Sequence, residues 1–497
     1  MSRRAARWLF ICLIAFIGYE SVGVRTQATP APILIVTNSA ASNPFDTYLP
    51  EILQAEGLNQ FAVKDLGSVQ ATDLSNATVV ILAETPLTAA QANLFSNYVA
   101  GGGRLVAMKP DNQLTPVLGL TPVGTTTTEG YFAVNPAVTF ADGFPTTTLP
   151  FHGQAINYTG ANGTTTLATL FSDSSTATAF PAVVRFGKTV TWAYDLARSV
   201  VYTRQGNPAN ATERDGIAPY RTEDLFYNAI DKDKMNIPYA DVQLRMLGRV
   251  ISDLMADTMP VPRLWYFPNG TRTLMVITSD SHANPQSYFD NVIASVEARG
   301  AHDSIYIFGG ASPSPSSTMT WRARGHEVGM HPSAFQNGVT LTQAFQNALN
   351  YFQLNGYGTP SPTTRIHLLE WQGWVDAAKI EASFGIGLDT TFYTWGPAVI
   401  YPDGHQAHGF INGSGLPMRF IDQAGTIVPV YQQVTSVVDE QLVWGGGFSE
   451  ELTQDQALAV TRQLIDDSQA GGYSAITTQF HVDSYADYQQ WTEGTMD

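Results

Sequence analysis

The apolar positions between residues 32 and 110 alternate between two textures. Pro32-Ile33-Leu34-Ile35-Val36-Thr37 is a continuous apolar run of strand length, and Ala77 to Ala83 and Arg104 to Met108 are two more. Tyr48 to Glu56 and Thr88 to Ala100 are spaced as helices; Pro50 suits the first turn of one, and Gly101-Gly102-Gly103 stops the other. Continuous apolar strands separated by helices predict a doubly wound parallel sheet, because a strand covered on both faces has no polar side. From Leu114 to about Ala179 short Thr/Gly-rich strands replace this rhythm, and Phe180 to Trp192 reads as a hairpin turning at Gly187-Lys188. Residues 206 to 262 carry five prolines around one helical stretch, Tyr239 to Ala256, and read as a connecting segment.

Beyond that segment the apolar runs end on chemistry. Thr273 to Thr278 leads into Ser279-Asp280-Ser281-His282, and His326-Glu327-Val328-Gly329-Met330 leads into His331. Thr364-Arg365-Ile366 runs into His367, and Ile476 to Phe480 into His481, with helical stretches such as Ser287 to Arg299 and Gln343 to Leu354 between them. Polar residues at the C-terminal ends of parallel strands collect on one rim of a β/α barrel, where active sites of that architecture lie. Eight of the nine histidines fall between His282 and His481. Histidine is the commonest metal ligand and acid/base near neutrality, so four of them in register predict a site.

Composition narrows the partners. The net charge is -17 with only 14% charged residues. An acidic chain repels phosphate backbones, so nucleic acid is excluded as a partner. A surface rich in Thr, Ser, Asn, Gln and Gly suits neutral polymers. Arg3, Arg4 and Arg7 precede an apolar run from Trp8 to Gly18 and a polar stretch ending in Thr26-Gln27-Ala28. This pattern predicts a cleaved signal peptide over residues 1–28, and so a secreted, periplasmic or cell-envelope location. The run is shorter than the roughly 20 residues of a spanning helix, so no transmembrane segment is expected after cleavage. Cys12, the only cysteine, falls inside it. Its removal would exclude disulfides, thiolate metal sites and cysteine nucleophiles. At 497 residues the chain is too long for one core.

Two resemblances follow from these residues. Val79 to Thr88, with Tyr98 to Val106, resembles a glutamine-amidotransferase-like domain of the flavodoxin type. The catalytic members use a cysteine that this stretch lacks, which implies a structural or ligand-holding role. Residues 270 to 485 resemble the polysaccharide deacetylases, metal-dependent carbohydrate esterases on a distorted, incomplete β/α barrel. The residues that carry it are Thr278-Ser279-Asp280-Ser281, Gly325-His326-Glu327-Val328-Gly329-Met330-His331, Arg365, Leu388-Asp389-Thr390-Thr391 and Phe480-His481-Val482-Asp483.

The resemblances imply an α/β chain, an N-terminal doubly wound parallel-sheet domain plus a C-terminal distorted β/α barrel. The expected boundaries are 29–205 for the first domain, 206–262 for the connection and 263–497 for the barrel. They imply Asp280 as base, His481 as general acid, Arg365 holding Asp280 ionised, and a glycan as substrate. Two of the family's metal positions are occupied by Ser281 and Phe335. Three readings stay open. His282 and His367 join Asp280 and His331 around a divalent metal, Zn²⁺ by the nature of the donors; or Asp280 and His481 work without a metal; or the barrel is catalytically silent and binds a glycan or acts as a scaffold. A hydrolase of a non-sugar amide or ester is a further possibility, since fold does not fix substrate. Trp371, Trp374 and Trp395 are the candidates for stacking on sugar rings.

Overall fold

Two sheets organise the protein. The structure, a computed structural model, describes residues 31–497, so the expected signal peptide and Cys12 lie outside the described residues. The first sheet has nine strands, and five of them run parallel. In spatial order these five are Phe61–Asp65, Ile33–Thr37, Val79–Leu82, Leu105–Met108 and Thr189–Trp192. The middle three are almost wholly buried, as apolar strands between helices must be. The expected hairpin joins this parallel part to an antiparallel half: Ala177–Phe186 pairs with Thr189–Trp192 across Gly187-Lys188. Helix Ala89–Ala100 begins with a Thr88/Gln91 capping box and ends at Gly101.

The region expected to be a connection is built into the core. Helix Tyr239–Met255 is buried along most of its length. Asp241 within it accepts from the Gly415 backbone at 2.7 Å, and Gln243 accepts from Ser199 at 2.9 Å. Residues 31–497 accordingly form one compact unit. Among them no helix is long and apolar enough to cross a membrane.

The second sheet curls. Thr278–Asp280, Ser304–Ile307, Glu327–Met330, Thr363–Thr364, Leu388–Asp389 and Ile427–Gln432 pair in that order, all parallel. The chain then bends at Gln433-Val434, and its continuation, Thr435–Val438, pairs with Ser474–His481. That strand in turn pairs with Thr278–Asp280, which brings the circuit back to its start. The result is a small, distorted barrel, and several of its strands are only two or three residues long. The predicted strand Thr273 to Thr278 is broken at Ile277; its first part, Thr273–Val276, pairs with the other end of the Ser474–His481 strand. Apart from the antiparallel edge strand Met418–Ile421, the strands of this sheet point their C-terminal ends the same way, so Asp280, His331 and His481 share one rim.

Candidate active site

The rim is organised by an ion pair inside the barrel. Arg365 is fully buried, and its guanidinium donates to Asp280 Oδ1 at 2.8 Å, Thr278 Oγ1 at 2.8 Å, Thr435 Oγ1 at 2.9 Å and the Thr390 carbonyl at 3.1 Å. Its hydrogen bonds thus tie together the strands Thr278–Asp280 and Thr435–Val438 and the loop that follows Leu388–Asp389. Burial raises the Asp280 carboxyl, but Arg365, then His331, His481 and the Gln479 amide, outweigh it and hold the pKa down to about 2. Gln479 Nε2 donates to Asp280 Oδ2 at 3.2 Å and lies 3.1 Å from the His481 ring.

Across the rim His481 is held by two carboxylates. Its Nδ1 lies 3.0 Å from Asp439 Oδ1, its backbone N–H donates to Asp439 Oδ2 at 2.7 Å, and its Nε2 is 3.7 Å from Glu440 Oε1. Burial lowers the imidazole pKa, and Asp439 and Glu440 together reverse this, raising it to about 10. Asp280 and His481 sit opposite each other on adjacent strands, one an anion and the other a cation throughout the neutral range.

Three further histidines complete the rim, and two of them, His331 and His367, are held neutral. His331 Nδ1 bonds the Arg365 carbonyl at 2.7 Å, His367 Nδ1 the Ser333 hydroxyl at 3.3 Å, and His282 Nδ1 the Asp483 carboxylate at 3.2 Å. Burial holds His331 down at about 4, and burial, with His331 and His282 as neighbours, takes His367 to about 2. The rings of His331 and His367 are 5.1 Å apart, those of His282 and His367 5.7 Å, and His282 stacks on His481 at 4.8 Å. Phe308 packs against the same group, 4.8 Å from His367.

An outer partner on one ring nitrogen is how metal-ligating histidines are oriented, and neutral imidazoles suit Zn²⁺. The spacing does not close around an ion. Among the described residues, the groups that bring three donor atoms within 4.8 Å of one another are Glu213, Asp215 and Asp224, and the rim histidines are not among them. Asp280, the fourth expected ligand, already gives one oxygen to Arg365 and the other to Gln479. Ser281 turns away from the rim, donating to the Tyr306 carbonyl at 3.1 Å and accepting from Phe308 N at 3.0 Å. Phe335 is half exposed.

The rim groups enclose a cavity of about 20 Å³, enough for one water. Asp280, His282, His331, His367, Tyr393, Trp395, Glu440 and His481 line it. A cleft of about 210 Å³ adjoins it, sharing His282, Glu440 and His481 and adding Trp444, Asp483, Ser484 and Asp487.

Two of the expected stacking residues lie elsewhere. Trp371 is 3% exposed and packs on Phe392 and Phe420. Trp374 is 6% exposed, its indole N–H given to the Gln205 carbonyl at 3.0 Å. Both are core residues that offer no face to the rim cavity; only Trp395 of the three lines it. The residues missed in sequence are Asp439, Glu440, Gln479 and Trp444. Asp439 and Glu440 directly follow the buried strand Thr435–Val438, whose mixed Thr-Ser-Val-Val sequence hides the signal that marked the histidines.

No family model matches the chain, and no curated protein matches it. Among solved structures it is similar to a putative polysaccharide deacetylase involved in O-antigen biosynthesis from Bordetella bronchiseptica. That match has 12% identity, covers 46% of this chain and 83% of the other, and has a TM-score of 0.28. A glutamine amidotransferase from Thermotoga maritima matches at 14% identity over 45% of this chain and 96% of its own, TM-score 0.30. An exo-β-1,4-mannosidase from an Opitutaceae bacterium matches at 12% identity over 35% of this chain, TM-score 0.26, and the match spans about a third of the mannosidase (32%). Likeness of this size carries no argument about activity.

Proposed function

We propose that the chain is a hydrolase of the deacetylase type that removes acetyl groups from a glycan at the barrel rim. The observation that carries this reading is the opposed pair Asp280 and His481, whose surroundings drive their pKa values apart to about 2 and about 10. Register partners on adjacent strands and lining one cavity, the carboxylate and the imidazolium are fixed in their charged forms, one able to orient a water and the other able to give a proton. A water in the rim cavity would be oriented by Asp280 and lose its proton towards that carboxylate as its oxygen adds to the acetyl carbon. The His481 imidazolium would donate its proton to the departing sugar oxygen or nitrogen, releasing acetate. A carboxylate held near 2 is a weak base, so Asp280 first aims the water and takes its proton only as the new C–O bond makes that proton strongly acidic. The sugar would lie in the adjoining cleft, where Trp444 is 41% exposed and stacks over His481.

Zn²⁺ binding by His282, His331 and His367 is a separate part of the proposal and requires those rings to rotate together. Elemental analysis of the purified protein tests it: one Zn²⁺ per chain that is lost in His331→Ala supports it, and none after incubation with Zn²⁺ rejects it. Export is likewise proposed, from the sequence pattern alone.

A silent glycan-binding barrel is the second reading, favoured by Ser281 and Phe335 at the family's metal positions. Acetate release from acetylated oligosaccharides separates the two. Hydrolysis that falls about 10²- to 10⁴-fold in Asp280→Asn and His481→Gln supports the enzyme. Glycan binding without acetate release, unchanged in both variants, supports the second reading.

A further inference from the structure

A second group of carboxylates lies behind Trp395, outside the rim cavity. Glu213, Asp215 and Asp224 bring one oxygen each within 4.8 Å of one another. Backbone N–H groups aim them. Gly216 N donates to Glu213 Oε1 at 2.6 Å, Ile217 N to Asp215 Oδ1 at 2.8 Å, and Arg214 N to Asp224 Oδ1 at 2.6 Å.

Acidic surface loops are common, and this much would carry nothing. Glu223 changes the case. It is fully buried, its Oε2 accepts from Trp395 N at 2.7 Å, and its Oε1 has no hydrogen-bond partner. Asp215 Oδ2 is also buried without a partner. Both free oxygens face one point: a Cβ built on Gly396 would stand 2.0 Å from Glu223 Oε1 and 3.0 Å from Asp215 Oδ2. The neighbouring guanidinium groups are engaged elsewhere, Arg214 with the Ala209 carbonyl and Arg221 with the carbonyls of Ile217, Ala218 and Leu368. Two buried carboxylate oxygens turned on each other with no donor are costly unless a proton or a cation lies between them.

We propose that Glu213, Asp215, Glu223 and Asp224 form a Ca²⁺ site. Hard carboxylate oxygens without nitrogen or sulfur donors select Ca²⁺ or Mg²⁺, and an irregular loop that cannot impose octahedral geometry favours Ca²⁺. The ion would brace the rim from behind. Glu223 holds the Trp395 backbone, and the Arg221 guanidinium lies 4.8 Å from the Trp395 ring and bonds Leu368, both of which line the rim cavity.

The test uses the full chain, stripped with chelator and exchanged into chelator-free buffer. Tb³⁺ is the first probe, because Trp395 beside Glu223 would sensitise its emission; calorimetry with Ca²⁺ follows. The expected result is one site per chain with a Kd for Ca²⁺ of about 10⁻⁴ to 10⁻³ M. Emission would be displaced by Ca²⁺ and lost in Trp395→Phe, and the melting temperature would rise with Ca²⁺ more than with equimolar Mg²⁺. Asp215→Asn should weaken binding at least about tenfold. Asp215 is only partly buried, so this variant reports on the site even where Glu223→Gln fails to fold. Absence of Ca²⁺ binding in the wild type, or emission and heat unchanged in Asp215→Asn, would overturn the site. Neither outcome bears on acetate release, so this proposal and the hydrolase fail separately.

Discussion

The protein places polar residues at the C-terminal ends of parallel strands twice, and the two places behave differently. In the first sheet the strand ends carry Asn43, Glu84, Lys109 and Asp195. Asn43 Nδ2 donates to Glu84 Oε2 at 2.8 Å and to Asp195 Oδ2 at 2.6 Å, while Lys109 pairs with Glu84 at 2.7 Å. Asp195 also caps helix Leu196–Gln205 through Ala197 N and Arg198 N. These groups satisfy one another, Lys109 against Glu84 and the Asn43 amide between two carboxylates, and form a clasp. On the barrel rim the groups are satisfied from behind instead: Asp280 by Arg365, His481 by Asp439, His331 by a backbone carbonyl. Their forward atoms converge on a cavity. Position at a strand end is therefore shared by both; what distinguishes a site is the direction from which its charges are held.

That comparison can be broken most forcefully at Arg365. Arg365→Met leaves Asp280 as an unpaired buried carboxylate, and should lower unfolding free energy by about 3–5 kcal/mol in urea denaturation. The next effect comes from Asp303, buried beneath the rim with Ser279 Oγ donating to its Oδ2 at 2.7 Å. Burial, reinforced by the Asp280 charge, raises its pKa in the folded protein to about 7 from the ordinary carboxylate value of 3.8. A raised carboxyl stabilises the fold fully below pH 3.8 and loses that contribution as pH rises through 7. The stability difference between wild type and Asp303→Asn should therefore fall between pH 4 and 7, by at most about 1.4 kcal/mol per pH unit.

Asn43→Ala, which cuts the clasp, should cost about 1–3 kcal/mol in the same denaturation series. Acetate release should be unchanged; a loss of activity there would mean that the clasp is not merely structural. The smallest effect is at Trp444, whose exposed ring stands over the cleft. Trp444→Ala should leave stability within about 0.5 kcal/mol and raise KM severalfold with kcat little changed.

Much of the frame was legible in sequence because its signals are strong. Continuous apolar strands marked the parallel part of the first sheet, and Thr88 with Gly101 bounded a helix. Phe61–Asp65 escaped because it is an edge strand, mixed in polarity and mostly accessible. Thr363–Thr364 and Leu388–Asp389 are too short to show any periodicity. The rim histidines were legible as polar ends of apolar runs, but what holds them was not. Asp439 reaches His481 across 42 residues and Arg365 reaches Asp280 across 85, and no local pattern encodes such a pairing. Trp371 and Trp374 were misread because an aromatic residue beside a motif looks the same whether it faces a substrate or the core.

The most direct test of the rim is the pH dependence of kcat/KM for acetate release. His481 must be protonated to act as acid, so the rate should fall on the alkaline side only as pH approaches about 10. Asp280 must be ionised, and at about 2 it keeps its charge down to strongly acidic pH. A flat profile through neutrality, with the alkaline limb removed in His481→Gln, is the predicted result. An alkaline limb near 6.5, the ordinary imidazole value, would contradict the account, because it would mean that Asp439 and Glu440 do not hold the proton on His481.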